Sequence, residues 1–168
     1  MRSALGTLGA ILCLALPSPS CHYNIGLTAP EGYSEVAVEI FANDTREPDL
    51  ERALQSSLTR EVRDRVPLHL VAPEQSELVI EGRLVDFNRV RGIRNPKNQI
   101  LESGVQVTAE AWVVRRSSGE RISTPITAQA TVGYAIGDSR GERAARERAL
   151  RQLAEILIVD LFTQDWTN

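Results

Sequence analysis

The stretch that decides the fold spans residues 35–62 and reads EVAVEIFANDTREPDLERALQSSLTREV. Its first part, Glu35–Phe41, alternates apolar and polar residues, as a half-buried strand requires. After a turn, Pro48 suits the first turn of a helix, and Pro67 ends that helix. An apolar side chain recurs at every fourth position of the helix, at Leu50, Leu54, Leu58 and Val62. We therefore predict a strand that leads directly into an amphipathic helix.

The chain after this helix is rich in strand patterns. We predict further strands over residues 68–71, 77–89, 105–115 and 121–134. The segment Val105–Arg115 alternates most clearly, so one side should face the core and the other should be partly wet, as in an antiparallel sheet. Pro125 cannot donate to a sheet ladder, so it places the last strand at an edge or a bulge.

A second helix closes the chain. Ser139 and Glu142 have the spacing of a capping box, in which each side chain bonds the other residue's backbone amide. A broad apolar stripe follows at Leu150, Leu153, Ala154, Leu157, Ile158 and Leu161. The order strand, helix, four strands, helix predicts an α+β fold: a two-layer sandwich in which one mixed four- to five-stranded sheet carries two helices packed on one face. The first crossover is long enough to place the second strand parallel to the first.

The N-terminus has the pattern of an export signal. A short basic start, an apolar run and a Pro-Ser break precede Cys21, so we interpret residues 1–20 as a signal peptide. Cys21 then becomes either an acylated first residue or a free thiol left by ordinary cleavage. Acylation is favoured because Cys21 is the only cysteine outside the signal. We expect residues 21–34 to form an acylated N-terminal arm and residues 35–168 a single α+β domain.

Composition excludes several classes of function. The formal charge is −3 and aromatic residues make up only 5% of 168 residues, which argues against nucleic-acid binding. His22 and His69 are the only histidines, so a His-rich metal site is excluded. No motif for phosphate-loop, hydrolase or metalloprotease chemistry occurs. We expect no enzymatic activity, no cofactor and no metal.

The residues around the first strand resemble a known family. Cys21 is followed by Tyr23, the strand over residues 36–45 ends in a Phe-x-Asn-x-Thr pattern, and Pro48 opens the Leu-striped helix. This arrangement resembles the LPS-assembly lipoprotein family, LptE, and the resemblance extends over nearly the whole mature chain. It implies a fold of two helices against a four-stranded sheet.

The resemblance implies a non-enzymatic role in the envelope. LptE proteins are acylated, are anchored on the periplasmic side of the outer membrane, plug the LptD β-barrel, assist its assembly and contact lipopolysaccharide. Lipid attachment at Cys21 and an LptD-like barrel as partner follow from the resemblance. An oligomerising periplasmic lipoprotein scaffold without lipid cargo is the alternative. A small-solute binding protein is a third reading, although the chain is short for two lobes.

One run of positive charge is a candidate ligand site. Arg89, Arg91, Arg94 and Lys97 lie within nine residues at the end of a strand and in the following loop, without interleaved acids. They form either a solvated loop or a site for lipopolysaccharide phosphates. The planar guanidinium group suits phosphates and acidic sugars better than an ammonium group does.

Overall fold

The computed structural model describes residues 27–92, 96–97, 102–136 and 140–166. Two helices are α1 (Leu50–Arg65) and α2 (Gly141–Thr163). The strands are β1 (Glu35–Val38), β2 (Ala42–Asn43), β3 (His69–Leu70), β4 (Leu78–Arg91), β5 (Glu102–Arg115), β6 (Glu120–Arg121) and β7 (Ile126–Ala135). Both predicted helices are confirmed, and so is the α+β class.

The strands form one mixed sheet with five strand positions among the described residues. β3, β1, β4 and β5 follow each other across the sheet; β2 continues the position of β1 beside β4, and both β6 and β7 pair with β5. β1 is parallel to β3 and β4, whereas β4, β5 and β7 are antiparallel. The predicted parallel crossover and mixed sheet are therefore confirmed. The short strand near His69 remains as an edge strand.

The last predicted strand, residues 121–134, is divided in two. The interruption contains Pro125, which has no N–H for the ladder, and it separates β6 from β7. At this point the Val113 N–H donates to the Ser123 hydroxyl oxygen at 2.7 Å, so a side chain replaces the missing backbone partner. The sequence placed the irregularity correctly at Pro125, but the strand is broken rather than continuous.

Both helices bury their apolar stripes against one face of the sheet. Leu54 and Leu58 of α1 and Leu153 and Leu157 of α2 are fully buried in one core cluster. The sheet contributes alternating buried residues of β5, namely Val105, Val107, Ala109, Ala111 and Val113. The helices run side by side in the same direction, because the start of α1 lies near the start of α2 and its end lies near the middle of α2.

A β-bulge at Val85 changes which residues of β4 face the helices. The register shifts between Leu84 and Asp86, so Leu84 is opposite Ala109 and Phe87 is opposite Val107. An extra residue in one strand moves every later side chain to the other face. Arg89 consequently lies on the helix side of the sheet.

The domain has two distinct ends. Leu27 and Ala29 of the N-terminal arm pack on the core, and the Thr28 N–H donates to the Phe162 carbonyl oxygen at the end of α2. We call this the arm end. The start of α2, the end of β4 and the start of β5 lie at the opposite end, which we call the tip; α2 alone spans about 34 Å at 1.5 Å per residue. Among the described residues, no helix is both long and apolar enough to cross a membrane.

Candidate functional site

The described part of the predicted basic cluster lies at the tip. Arg89 lies near the end of β4, the backbone of Arg91 pairs with Ser103 in β5, and Lys97 is exposed in the turn that follows. The side chain of Arg91 and the whole of Arg94 lie outside the described residues. The long β4–β5 hairpin therefore carries this run of charge to the end of the molecule opposite the arm.

Arg89 is held by two carboxylates. Its Nε donates to Oε1 of Glu142 at 2.8 Å, and its Nη2 lies 3.3 Å from Oε2 of Glu47. The guanidinium also stacks over the ring of Phe87, 5.4 Å from the centroid. The hydrogen bond to Glu142 raises the pKa of Arg89 above its ordinary value. The positive charge of Arg89 is thus paired with carboxylates of the protein itself, although its side chain is 52% exposed.

Two more residues complete what we call the tip network: Glu47, Arg89, Tyr134, Glu142 and Arg146. Arg146 Nη1 lies 3.0 Å from Oε1 of Glu47, and the Tyr134 hydroxyl donates to Oε2 of Glu142 at 3.2 Å. The network joins the segment before α1, strands β4 and β7 and the first turns of α2. These contacts link the helices to the sheet at the tip.

The predicted capping box at the start of α2 lies partly outside the described residues, because Ser139 is not among them. The residue preceding the helix is Arg140, which makes no side-chain capping bond. The carboxylate of Glu142 binds Arg89 and Tyr134 in the tip network. Sequence spacing alone could not show these contacts of Glu142.

The Phe-x-Asn-x-Thr pattern forms a turn that positions Glu47. Asn43 Nδ2 donates to the Glu47 carbonyl oxygen and to Oε2 of Glu51, both at 2.9 Å. Oδ1 of Asn43 accepts hydrogen bonds from the backbone N–H and the hydroxyl of Thr45. The pKa of Glu51 is lowered, first by a hydrogen bond from its own backbone N–H and then by the Asn43 amide. These side-chain bonds fix the entry into α1, as Asn and Thr commonly do in turns.

The phenylalanine of the same pattern packs against a glycine. Phe41 is buried beneath the sheet, where its ring lies against Gly82 of β4. A Cβ atom at Gly82 would overlap both this ring and the carbonyl oxygen of Glu110. Glycine at this position allows the close approach.

The solvent face of α1 carries a basic surface that the sequence analysis missed. It borders a shallow groove of about 340 Å³ lined by Arg52, Gln55, Ser56, Thr59, Arg60 and Arg63. Acidic residues interleave with these arginines in the sequence, which hid the cluster. A projection of the helix at 100° per residue places Glu51 and Glu61 on other sides, whereas Asp64 projects beside Arg60 and Asp49 lies 3.8 Å from Arg52. The described residues contain no group of three or more His, Cys, Asp or Glu side chains placed to hold a metal ion.

Comparison with known families gives one match. The family model described as "LptE: Lipopolysaccharide-assembly" matches residues 33–164, from the arm through α2. A search of curated proteins gave no significant match.

Several solved structures resemble this chain. Protein XCC0632 from Xanthomonas campestris superposes with a TM-score of 0.58 at 14% identity, over 79% of this chain and 88% of that chain. The hypothetical protein CT253 from Chlamydia trachomatis gives 0.50 at 10% identity, over 74% and 95%. A variant of PelC from Paraburkholderia phytofirmans gives 0.49 at 16% identity, over 78% and 90%. At these identities the likeness concerns the fold alone.

Proposed function

Because this chain belongs to the LptE lipopolysaccharide-assembly family, we propose that it plugs an LptD-like β-barrel of the outer membrane, assists the assembly of that barrel and contacts lipopolysaccharide in transit. The extent of the family match carries the proposal. It begins in the arm at residue 33 and ends at residue 164, and so includes both helices and the whole sheet. The protein acts as an assembly subunit rather than as an enzyme.

The proposed anchor is a lipid on Cys21, which holds the protein on the periplasmic side of the outer membrane. Leu27, where the arm joins the core, follows Cys21 by six positions. An extended segment of that length reaches about 20 Å, so the arm end would lie close to the bilayer. Two or three acyl chains on the cysteine would anchor it stably, because each buried methylene contributes about 0.8 kcal/mol.

The proposed lipopolysaccharide contact lies at the tip, on Arg89, Arg91, Arg94 and Lys97. Arg89 also has a structural role at this site, because Glu47 and Glu142 bind its guanidinium. The residues beyond it would extend the positive charge toward the ligand. Guanidinium groups bind phosphates through paired hydrogen bonds, which supports contact with a phosphorylated glycolipid.

A pair of charge reversals tests the contact. Arg91→Glu with Arg94→Glu should weaken binding of lipopolysaccharide to the detergent-purified protein at low salt, and the loss should shrink at high salt. The matched control is Arg60→Glu with Arg63→Glu, which makes the same charge change on α1. An equal loss in both double variants would show a general charge effect and would contradict a site at the tip.

Depletion of the protein in the source bacterium tests the proposed function as a whole. We expect the LptD-like barrel to accumulate in an unfolded form, seen as the loss of its heat-modifiable band on gels. Lipopolysaccharide accessible at the cell surface should fall at the same time. Normal folding of the barrel together with unchanged surface lipopolysaccharide would contradict the proposal.

A further inference from the structure

A cleft at the arm end is lined by charged and hydroxyl-bearing residues outside the tip network. It lies between the arm, the short 3₁₀ turn Pro73–Gln75 and the turn that joins β5 to β6. Its volume is about 470 Å³, and it is lined by Tyr33, Ser76, Glu77, Arg115, Arg116 and Ser117. Two arginines and three hydroxyl-bearing residues therefore line one concave surface.

The two arginines are positioned by the backbone and by neighbouring side chains. Nε of Arg115 donates to the Tyr33 hydroxyl at 2.8 Å, and Nη1 donates to Oε2 of Glu120 at 2.6 Å. The backbone N–H of Arg116 donates to the carbonyl oxygen of Glu77 at 2.9 Å. The Arg116 residue is exposed, and it forms no salt bridge within the part of the chain that the structure describes. The side chain of Arg115 is thus held by two contacts, whereas the side chain of Arg116 can adjust to a ligand.

The acidic residue in the cleft is already occupied by hydrogen-bond donors. Oε2 of Glu77 accepts bonds from the Ser34 N–H at 2.6 Å, from the Ser34 hydroxyl at 3.1 Å and from the Glu35 N–H at 3.1 Å. These donors stabilise the ionised carboxylate of Glu77 and hold it against the arm. Glu120 is paired with Arg115, while Glu74 in the 3₁₀ turn and Glu35 at the start of β1 are further acids near the cleft. An incoming anion would bind at the exposed Arg116 and the outer part of Arg115.

We infer that this cleft binds the phosphate group of an anionic phospholipid headgroup. Guanidinium groups and hydroxyls are suited to phosphate oxygens. The position of the cleft at the arm end favours a membrane lipid as the source of the phosphate. This step rests on the lipid anchor proposed at Cys21. Tyr33 follows Cys21 by twelve residues, which span at most about 40 Å when extended, so the cleft lies within reach of the bilayer surface. Basic residues near an anionic bilayer surface are attracted to it.

Titration with short-chain lipids tests this inference without depending on the anchor. Detergent-purified full-length protein is titrated with dihexanoyl phosphatidylglycerol, and binding is followed by the NMR signals of arginine Nε–H groups. Arg116→Gln should weaken binding about tenfold, the effect of losing one charge-assisted contact. Arg115→Gln together with Arg116→Gln should abolish it. Arg143→Gln removes the same charge from the exposed surface near the tip and should leave binding unchanged.

Two further ligands separate the possible sources of the phosphate. Inorganic phosphate should bind more weakly than the lipid at the same residues; equally tight binding would assign the cleft to free phosphate and overturn the lipid assignment. Dihexanoyl phosphatidylcholine, with the same acyl chains and no net charge, should bind least. Equal affinity for both lipids, or equal affinity of parent and Arg116→Gln, would overturn the inference.

The outcome is separable from the proposed function. If the protein co-purifies with its barrel but does not bind dihexanoyl phosphatidylglycerol, the lipid site in the cleft is refuted and the proposed function is not. Absence of the barrel and of acylation would refute the proposed function, whatever the titration shows. The melting temperature of Arg116→Gln should equal that of the parent, because this exposed side chain makes no salt bridge in the described residues.

Discussion

Arg89 and Glu142 lie 53 residues apart in the sequence, yet Nε of the arginine donates to Oε1 of the glutamate at 2.8 Å. The contact exists because the bulge at Val85 directs Arg89 to the helix side of β4. There it meets the first turn of α2, while Glu47 approaches from the segment before α1. One side chain of the sheet thus holds the starting points of both helices.

Removing this contact should lower the stability by a modest amount. Arg89→Gln should reduce the free energy of unfolding by about 1 kcal/mol, because the pair is half exposed and screened by solvent. Urea unfolding measures the change, and Arg63→Gln, an exposed arginine of α1, is the control. In a double-mutant cycle with Glu142→Gln the two effects should not add. Full additivity would contradict the contact.

Gly82 should tolerate no side chain. Gly82→Ala should cost about 1–3 kcal/mol, the range for overpacking a core, because the new methyl group would overlap the Phe41 ring and the Glu110 carbonyl. Gly133→Ala is the matched control in β7, where the added Cβ would be 3.7 Å from the nearest atom, the Ser103 carbonyl oxygen. Equal melting temperatures for the two variants would refute the packing of Phe41 on Gly82.

Glu77 should make stability depend on pH in the acid range. The backbone N–H groups of Ser34 and Glu35 lower the pKa of Glu77 below its ordinary value. The unfolded chain therefore takes up the proton at a higher pH than the folded chain does. The stability that Glu77 contributes is complete above its ordinary pKa and is lost as the pH falls through its lowered pKa. Urea midpoints of the parent should fall more steeply than those of Glu77→Gln between about pH 5 and pH 3. Parallel pH profiles would contradict this role.

Cys21 should be required for attachment to the membrane. Cys21→Ala should eliminate labelling by a radioactive fatty acid and release the protein from the outer-membrane fraction, or leave it with its signal uncleaved. The Cys13→Ala variant, changed within the apolar run of the signal, should be labelled normally. Unchanged labelling of Cys21→Ala would show that the lipid is elsewhere.

Much of the fold follows from local patterns. The four-residue period of Leu50, Leu54 and Leu58 predicts α1, and the alternation of Val105–Arg115 predicts β5; both are confirmed because each pattern has one buried face. The bulge at Val85 was not predicted, since apolar residues lie on both sides of it in the sequence. It is set by the pairing of β4 with β5, which no local pattern contains.

The candidate site was predicted only in part. The run from Arg89 to Lys97 drew attention to the tip, but Arg89 is bound by Glu47 and Glu142, which are distant in sequence. The arginine surface of α1 is a local pattern that a helical projection of the sequence would have shown, whereas the cleft at Arg116 depends on which side chains the fold brings together. The Phe-x-Asn-x-Thr pattern contributed to the family resemblance, and the structure shows that its Asn43 fixes the turn through bonds to Thr45 and Glu47.

Affinity purification from detergent-solubilised outer membrane, followed by native mass spectrometry, tests whether this chain plugs a barrel. We expect a complex of one copy of this chain with one copy of a large LptD-like β-barrel. A ring or other homo-oligomer of this chain with no barrel bound would contradict it and would favour an oligomerising scaffold.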